Sequence, residues 1–227
     1  MTGLAFLAVT AIVSNLWQQG KLLMTAKPVL LLATALTASL CCAAAAKPVQ
    51  TTKYTYYTVG GDTAQEIYLS MLRKGPRVNG AKAYAATAAT TTQDGKLLQG
   101  ASCGINDYHL KLDFTIKLPK IKNVNVLPAS DRNRWQQFSV FLKKHEETHR
   151  SIWLGCAADL ERQVKSIKAK TCGDADKKAQ KLWDKMRAAC SKKHVAFDAA
   201  EQKKLMQHPF VRLVYKRSVQ QHAAKAQ

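Results

Sequence analysis

The sequence predicts an α+β protein: a small antiparallel sheet with one helix, followed by a long antiparallel helical hairpin. Three observations carry this reading. Tyr108, Leu110, Leu112, Phe114 and Ile116 alternate strictly with His109, Lys111, Asp113, Thr115 and Lys117, the two-residue period of a half-buried strand. Trp135, Phe138, Phe141/Leu142, His145, His149, Ile152/Trp153, Cys156, Leu160, Val164 and Ile167 recur at helical steps, forming one apolar stripe of a very long helix. Thr171-Cys172-Gly173 then interrupts the pattern before a second helical run, and short connections make consecutive helices antiparallel neighbours.

In chain order, residues 1–46 read as a leader. From Met24, one lysine precedes an apolar run and a small-residue stretch ending Ala44-Ala45-Ala46, which matches a secretory signal cleaved near Lys47. Met24 reads as the natural start, because the earlier apolar run, Leu4–Val13, lacks a basic flank. Both runs fall short of the roughly 20 residues a helical span requires, so no stable transmembrane anchor is expected. Lipid attachment at Cys41 or Cys42 fits less well, since Leu40 stands where a small residue is wanted. A periplasmic or secreted location follows.

Residues 47–120 then form the sheet lobe. Lys53–Val59 is β-branched and aromatic, a strand by propensity. Gly60-Gly61 ends it, and Asp62 or Thr63 caps a helix with Ala64, Ile67, Tyr68, Met71 and Leu72 on its apolar face, stopped by Gly75-Pro76. Lys82–Gln93 reads as a strand, Asp94-Gly95 as a hairpin turn, and Leu97–Ser102 as the start of the return into Cys103–Leu118. Pro119–Pro128 reads as a linker into the helical lobe, residues 121–227. There Ser130 or Asp131 caps a helix running to about Lys168, and a second helix runs from about Asp174 towards Leu205.

Thirty-five basic residues face 15 acidic ones, a net charge of +20; removing the leader takes two lysines and leaves +18. The lysines are spread along the second helix rather than clustered beside stacking aromatics, so no specific nucleic-acid reader is expected. A solvated basic face accounts for them, or attraction to an acidic envelope component. Four cysteines remain beyond the leader, an even number suited to two disulfides in an exported chain. Cys156 and Cys190 lie at similar distances before and after Cys172, so an antiparallel hairpin brings them together. That leaves Cys103 to pair with Cys172 at the hairpin tip.

The chemistry lies in His145-Glu146-Glu147-Thr148-His149, an H-E-x-x-H pentad on the buried stripe. Two imidazoles four residues apart on a helix share a face and can grip one zinc ion, while Glu146 stands where a carboxylate can act as general base. The longer H-E-x-x-H-x-x-G-x-x-H pattern is not met, because Ile152 and Gly155 occupy its glycine and third-histidine positions. Glu161 lies about 18 Å along the same helix and cannot reach. A third ligand therefore comes from Asp174, Asp176, Asp184, His194, Asp198, Glu201 or His208.

Several pieces resemble a bacterial domain-of-unknown-function family whose members are described as predicted secreted zinc-dependent proteases. They are Tyr57-Thr58-Val59-Gly60-Gly61, Gly75-Pro76, the strand opened by Cys103, Leu118-Pro119, Trp135 and the pentad, across roughly residues 53–200. Members often carry an aromatic-Asp pair followed within a few residues by a histidine. Phe197-Asp198 resembles the pair, and the next histidine, His208, comes later than that pattern has it. The resemblance implies a zincin-like fold with His145, His149 and His208 as zinc ligands, Asp198 or His194 being the alternatives to His208. It also implies peptide hydrolysis of a protein or peptide substrate with Glu146 as the catalytic base. Separately from the resemblance, an edge strand such as Lys82–Gln93 could hold that substrate extended, the favoured alternative being plain membership of the core sheet. The competing expectation is a non-catalytic envelope protein that keeps zinc for stability or recognition.

Overall fold

The computed structural model describes residues 48–225, with side chains described as far as Arg217. The expected leader, with Met24, Cys41, Cys42 and the cleavage point, lies outside the described residues. Elements follow in the order β1 (Val49–Val59), α1 (Ala64–Lys74), β2 (Arg77–Val78), β3 (Ala81–Lys82), β4 (Ala86–Gln99), β5 (Cys103–Ile121), a short 3-10 turn (Val124–Val126), α2 (Ala129–Lys165), α3 (Cys172–Gln207) and α4 (Pro209–Lys225). The mixed α+β class expected from sequence is the class observed.

The main sheet has the order β1-β5-β4, and β2 and β3 form a separate antiparallel pair. Its central strand is the one with the alternating pattern: Leu110, Leu112, Phe114 and Ile116 are all buried. β4 pairs antiparallel with β5, from Ala86↔Lys117 to Gln99↔Cys103. β1 pairs parallel with β5, from Val49↔Lys111 to Val59↔Ile121, so the sheet is mixed and not antiparallel throughout. A strand's own alternation says which face is buried but not which neighbour it takes or in which direction.

The Asp94-Gly95 pair is also corrected. β4 continues through it with a bulge between Asp94 and Lys96, and the chain reverses at residues 100–102, where the Gly100 N–H donates to the Ser102 carbonyl at 3.0 Å. Gly95 occupies a crowded spot there: a Cβ would stand 3.1 Å from the Tyr108 ring and 3.2 Å from Ile105, close enough that those side chains would have to shift. Pro119, expected in the linker, belongs to β5 at a point where β4 has already ended and one side of the strand is free of a ladder.

α1 begins as expected, with the Thr63 hydroxyl accepting from the Glu66 N–H. α2 does not use Ser130 or Asp131 as its cap; Pro128 stands there without a side-chain bond. Asp131 is instead buried one turn in, held by Arg134 at 3.0 Å and by Arg217 of α4 at 2.9 Å. α3 starts earlier than Asp174, capped by the Thr171 hydroxyl, which accepts from the Asp174 N–H. α4, not anticipated, opens on Pro209, whose missing N–H is harmless in a first helical turn.

α2 lies between the sheet and α3. Tyr57, Ile116, Trp135, Phe138 and Phe210 belong to one of the two large hydrophobic clusters, and Leu110, Phe114, Trp153, Leu160 and Met186 to the second. Both of these join strands to helices. Cys103–Cys172 and Cys156–Cys190 are both formed, with Cα separations of 5.0 and 6.0 Å. Two disulfides are compatible with an oxidising compartment. Among the described residues, no helix is long and apolar enough to cross a membrane.

Candidate metal centre

Because α2 is clasped on two sides, its pentad is shared between them. Glu147 leans to β1, where it accepts from the Tyr54 hydroxyl at 2.6 Å. Glu146 leans to β4, and the imidazoles of His145 and His149 meet α3. Opposite them α3 presents Cys190, His194 and Asp198, successive residues of one face at four-residue steps.

Asp198 completes the group. Its Oδ1 lies 3.1 Å from His145 Nε2 and 3.0 Å from His149 Nε2, and the two imidazole nitrogens are 3.1 Å apart. All three residues are buried. Phe197 packs against both rings, with centroid distances of 4.7 and 5.1 Å. Burial pushes the Asp198 carboxyl up, but hydrogen bonds and charge from the two histidines outweigh it, and the group sits below the usual carboxylate range.

Glu146 is wholly buried. The Thr87 hydroxyl of β4 lies 2.8 Å from its Oε2 and 3.0 Å from its main-chain oxygen. Burial pushes this carboxyl up; the nearby histidines and the Thr87 bond pull the other way without reversing the shift. Glu146 Oε1 and Asp198 Oδ2 are buried oxygens with no hydrogen-bond partner. Such groups are costly to leave unsatisfied, and both belong to one cluster.

These donors suit a cation. Two ligand atoms on one tetrahedral ion at 2.0–2.1 Å stand about 3.3 Å apart, close to the separations found here. Three convergent ligand atoms within 4.8 Å of one another, two nitrogens and one carboxylate oxygen, could hold a metal ion. A cation would satisfy lone pairs that otherwise crowd together.

His208, the first choice for third ligand, is not part of this group. It caps the end of α3, with its ring 5.1 Å from Phe138 and 5.4 Å from Phe141 and its Nδ1 accepting from the Phe210 N–H. His194 is closer, but its Nδ1 meets His149 Nδ1 at 2.8 Å, on the far side of that ring from Asp198. Burial, with some help from His149, pushes its imidazole down to about 4, so it is neutral near pH 7. Asp174 lies at the start of α3, bonded to Thr171, and Glu201 pairs with Lys204. Thr87 was missed because an alanine- and threonine-rich strand gives no sign of which hydroxyl faces α2.

Residues 54–206 match a family described as "Bacterial protein of unknown function (DUF922)". The chain belongs to this family. The DUF922 match includes Thr87, the pentad, His194 and Asp198, and it stops before His208 and α4. No curated protein and no solved structure matches the chain.

Proposed function

We propose that this DUF922 protein is an exported zinc-dependent metallopeptidase. The observation that carries the reading is the convergence of His145 Nε2, His149 Nε2 and Asp198 Oδ1 beside the buried Glu146 carboxylate, one oxygen of which, Oε1, has no hydrogen-bond partner. Two imidazoles and a carboxylate are a ligand set typical of hydrolytic zinc, which leaves a further coordination position for chemistry. Bound zinc would supply Lewis acidity, polarising a peptide carbonyl and acidifying water. Glu146 would take the proton of the attacking water and return it to the leaving amine nitrogen. Thr87 would keep that carboxylate aimed. β4, an edge of the main sheet, would hold a peptide extended through main-chain hydrogen bonds. The basic surface would favour acidic substrates or envelope components.

One observation favours a second reading, a non-catalytic envelope protein stabilised by zinc. The cavity beside His145 and Asp198, walled by Phe141, Leu142 and Leu205, has about 10 Å³ of room, enough for one water and not for a peptide. Glu146→Gln separates the two. Both readings keep one zinc per chain in the variant, but only the peptidase loses peptide-library turnover that the wild type shows. Wild-type protein carrying zinc and cleaving nothing in the library would overturn the peptidase reading.

A further inference from the structure

His194 makes contacts that neither reading uses. Its ring is fully buried and edged on three sides: Nδ1 lies 2.8 Å from His149 Nδ1, Nε2 lies 3.7 Å from Cys190 Sγ, and the Trp153 ring stands 5.5 Å away. Cys190 is closed in a disulfide with Cys156, so its sulfur carries no proton and can only accept. A neutral imidazole whose Nε2–H points to that sulfur has its lone pair on Nδ1. The remaining proton between the two rings then belongs to His149 Nδ1, which donates to His194. That leaves the lone pair of His149 on Nε2, the atom turned towards His145 and Asp198.

We infer that His194 is a positioning residue for the metal centre, fixing the tautomer and ring angle of His149 from outside the ligand set. The inference rests on the metal-binding reading and gives a role to a residue that sequence offered only as a ligand. Ligating histidines commonly donate their second N–H to a fixed acceptor, usually a carboxylate or carbonyl. Here the acceptor is a second imidazole, itself set by the disulfide that staples α3 to α2. Cys190, His194 and Asp198 thus act on the site from one helical face, one turn apart.

The test is Zn²⁺ affinity, by competition with a chromophoric chelator, for the purified protein and two variants. His194→Leu fills the same buried space and accepts nothing; His194→Phe serves should the leucine variant fail to fold. His194→Asn places an acceptor oxygen close to the site of Nδ1. The apolar variant should bind one Zn²⁺ some 10- to 100-fold more weakly, and the asparagine variant should return to within a few-fold of wild type. Co²⁺ spectra should show the same coordination number in all three. Equal affinity in wild type and the apolar variant would overturn the inference, as would asparagine no better than leucine, since packing alone would then explain the residue. Complete loss of binding by a folded apolar variant would also overturn it, by making His194 a ligand. A wild-type protein that takes up no Zn²⁺ would instead remove the metal-binding reading itself.

Discussion

The Thr87 hydroxyl sits 2.8 Å from Glu146 Oε2 and 3.0 Å from the Glu146 carbonyl oxygen, tying the edge strand β4 to the pentad helix at a wholly buried acid. Replacing Thr87 by valine keeps the shape and removes the donor. Thr87→Val should cost about 1–3 kcal/mol in urea unfolding, the usual penalty for stranding a buried polar group, while Thr87→Ser should cost clearly less. Equal losses in the two variants would show that the methyl group, not the hydroxyl, matters.

α4 carries a second stability test. Phe210 is fully buried against Trp135 and Phe138, with centroid distances of 5.3 and 5.2 Å, on the face of α2 that precedes the pentad. Phe210→Ala should cost about 3–5 kcal/mol. A loss below about 1 kcal/mol would mean that α4 does not belong to the core.

Much of this was legible in sequence, for identifiable reasons. β5 declared itself because one face is buried and the other wet, and α2 because its stripe runs unbroken from Trp135 to Val164. The two disulfides followed from hairpin symmetry. The direction of β1 was not legible, since Tyr57 and Val59 are buried whichever way the partner strand runs. Asp94-Gly95 misled because glycine serves a bulge under Tyr108 as well as it serves a turn. The choice of His208 followed the resemblance, in which a histidine comes after the aromatic-Asp pair, and missed a signal that was present. Once Cys156 faces Cys190, two turns back along α2 stands His149 and two turns on along α3 stands Asp198. Antiparallel register alone brings them together.

His208 gives the pH dependence. Burial against Phe138 and Phe141 holds its imidazole below the usual histidine range. The unfolded chain therefore binds a proton near pH 6.5 that the folded chain refuses, and this contribution to stability is lost as pH falls from about 6.5 towards the folded value. Between pH 7.5 and 5.5 the wild-type urea midpoint should fall further than that of His208→Asn. Identical falls would show that His208 is not the group responsible.

The two disulfides should be separable. Loop-closure entropy alone makes their removal similar in cost, about 4 kcal/mol each for loops of this size. Cys156–Cys190 also abuts His194, whereas Cys103–Cys172 joins β5 to the start of α3. Zn²⁺ affinity should fall in Cys156→Ser/Cys190→Ser and hold in Cys103→Ser/Cys172→Ser, measured where both remain folded. Equal affinity in the two double variants would separate the staple from the site.

The most direct measurement is metal content per chain after Zn²⁺ loading and desalting, for wild type, Asp198→Ala and His208→Ala. The expected result is one zinc in wild type and in His208→Ala and none in Asp198→Ala, with all three folded. Zinc retained by Asp198→Ala, or absent from the wild type, would contradict the account.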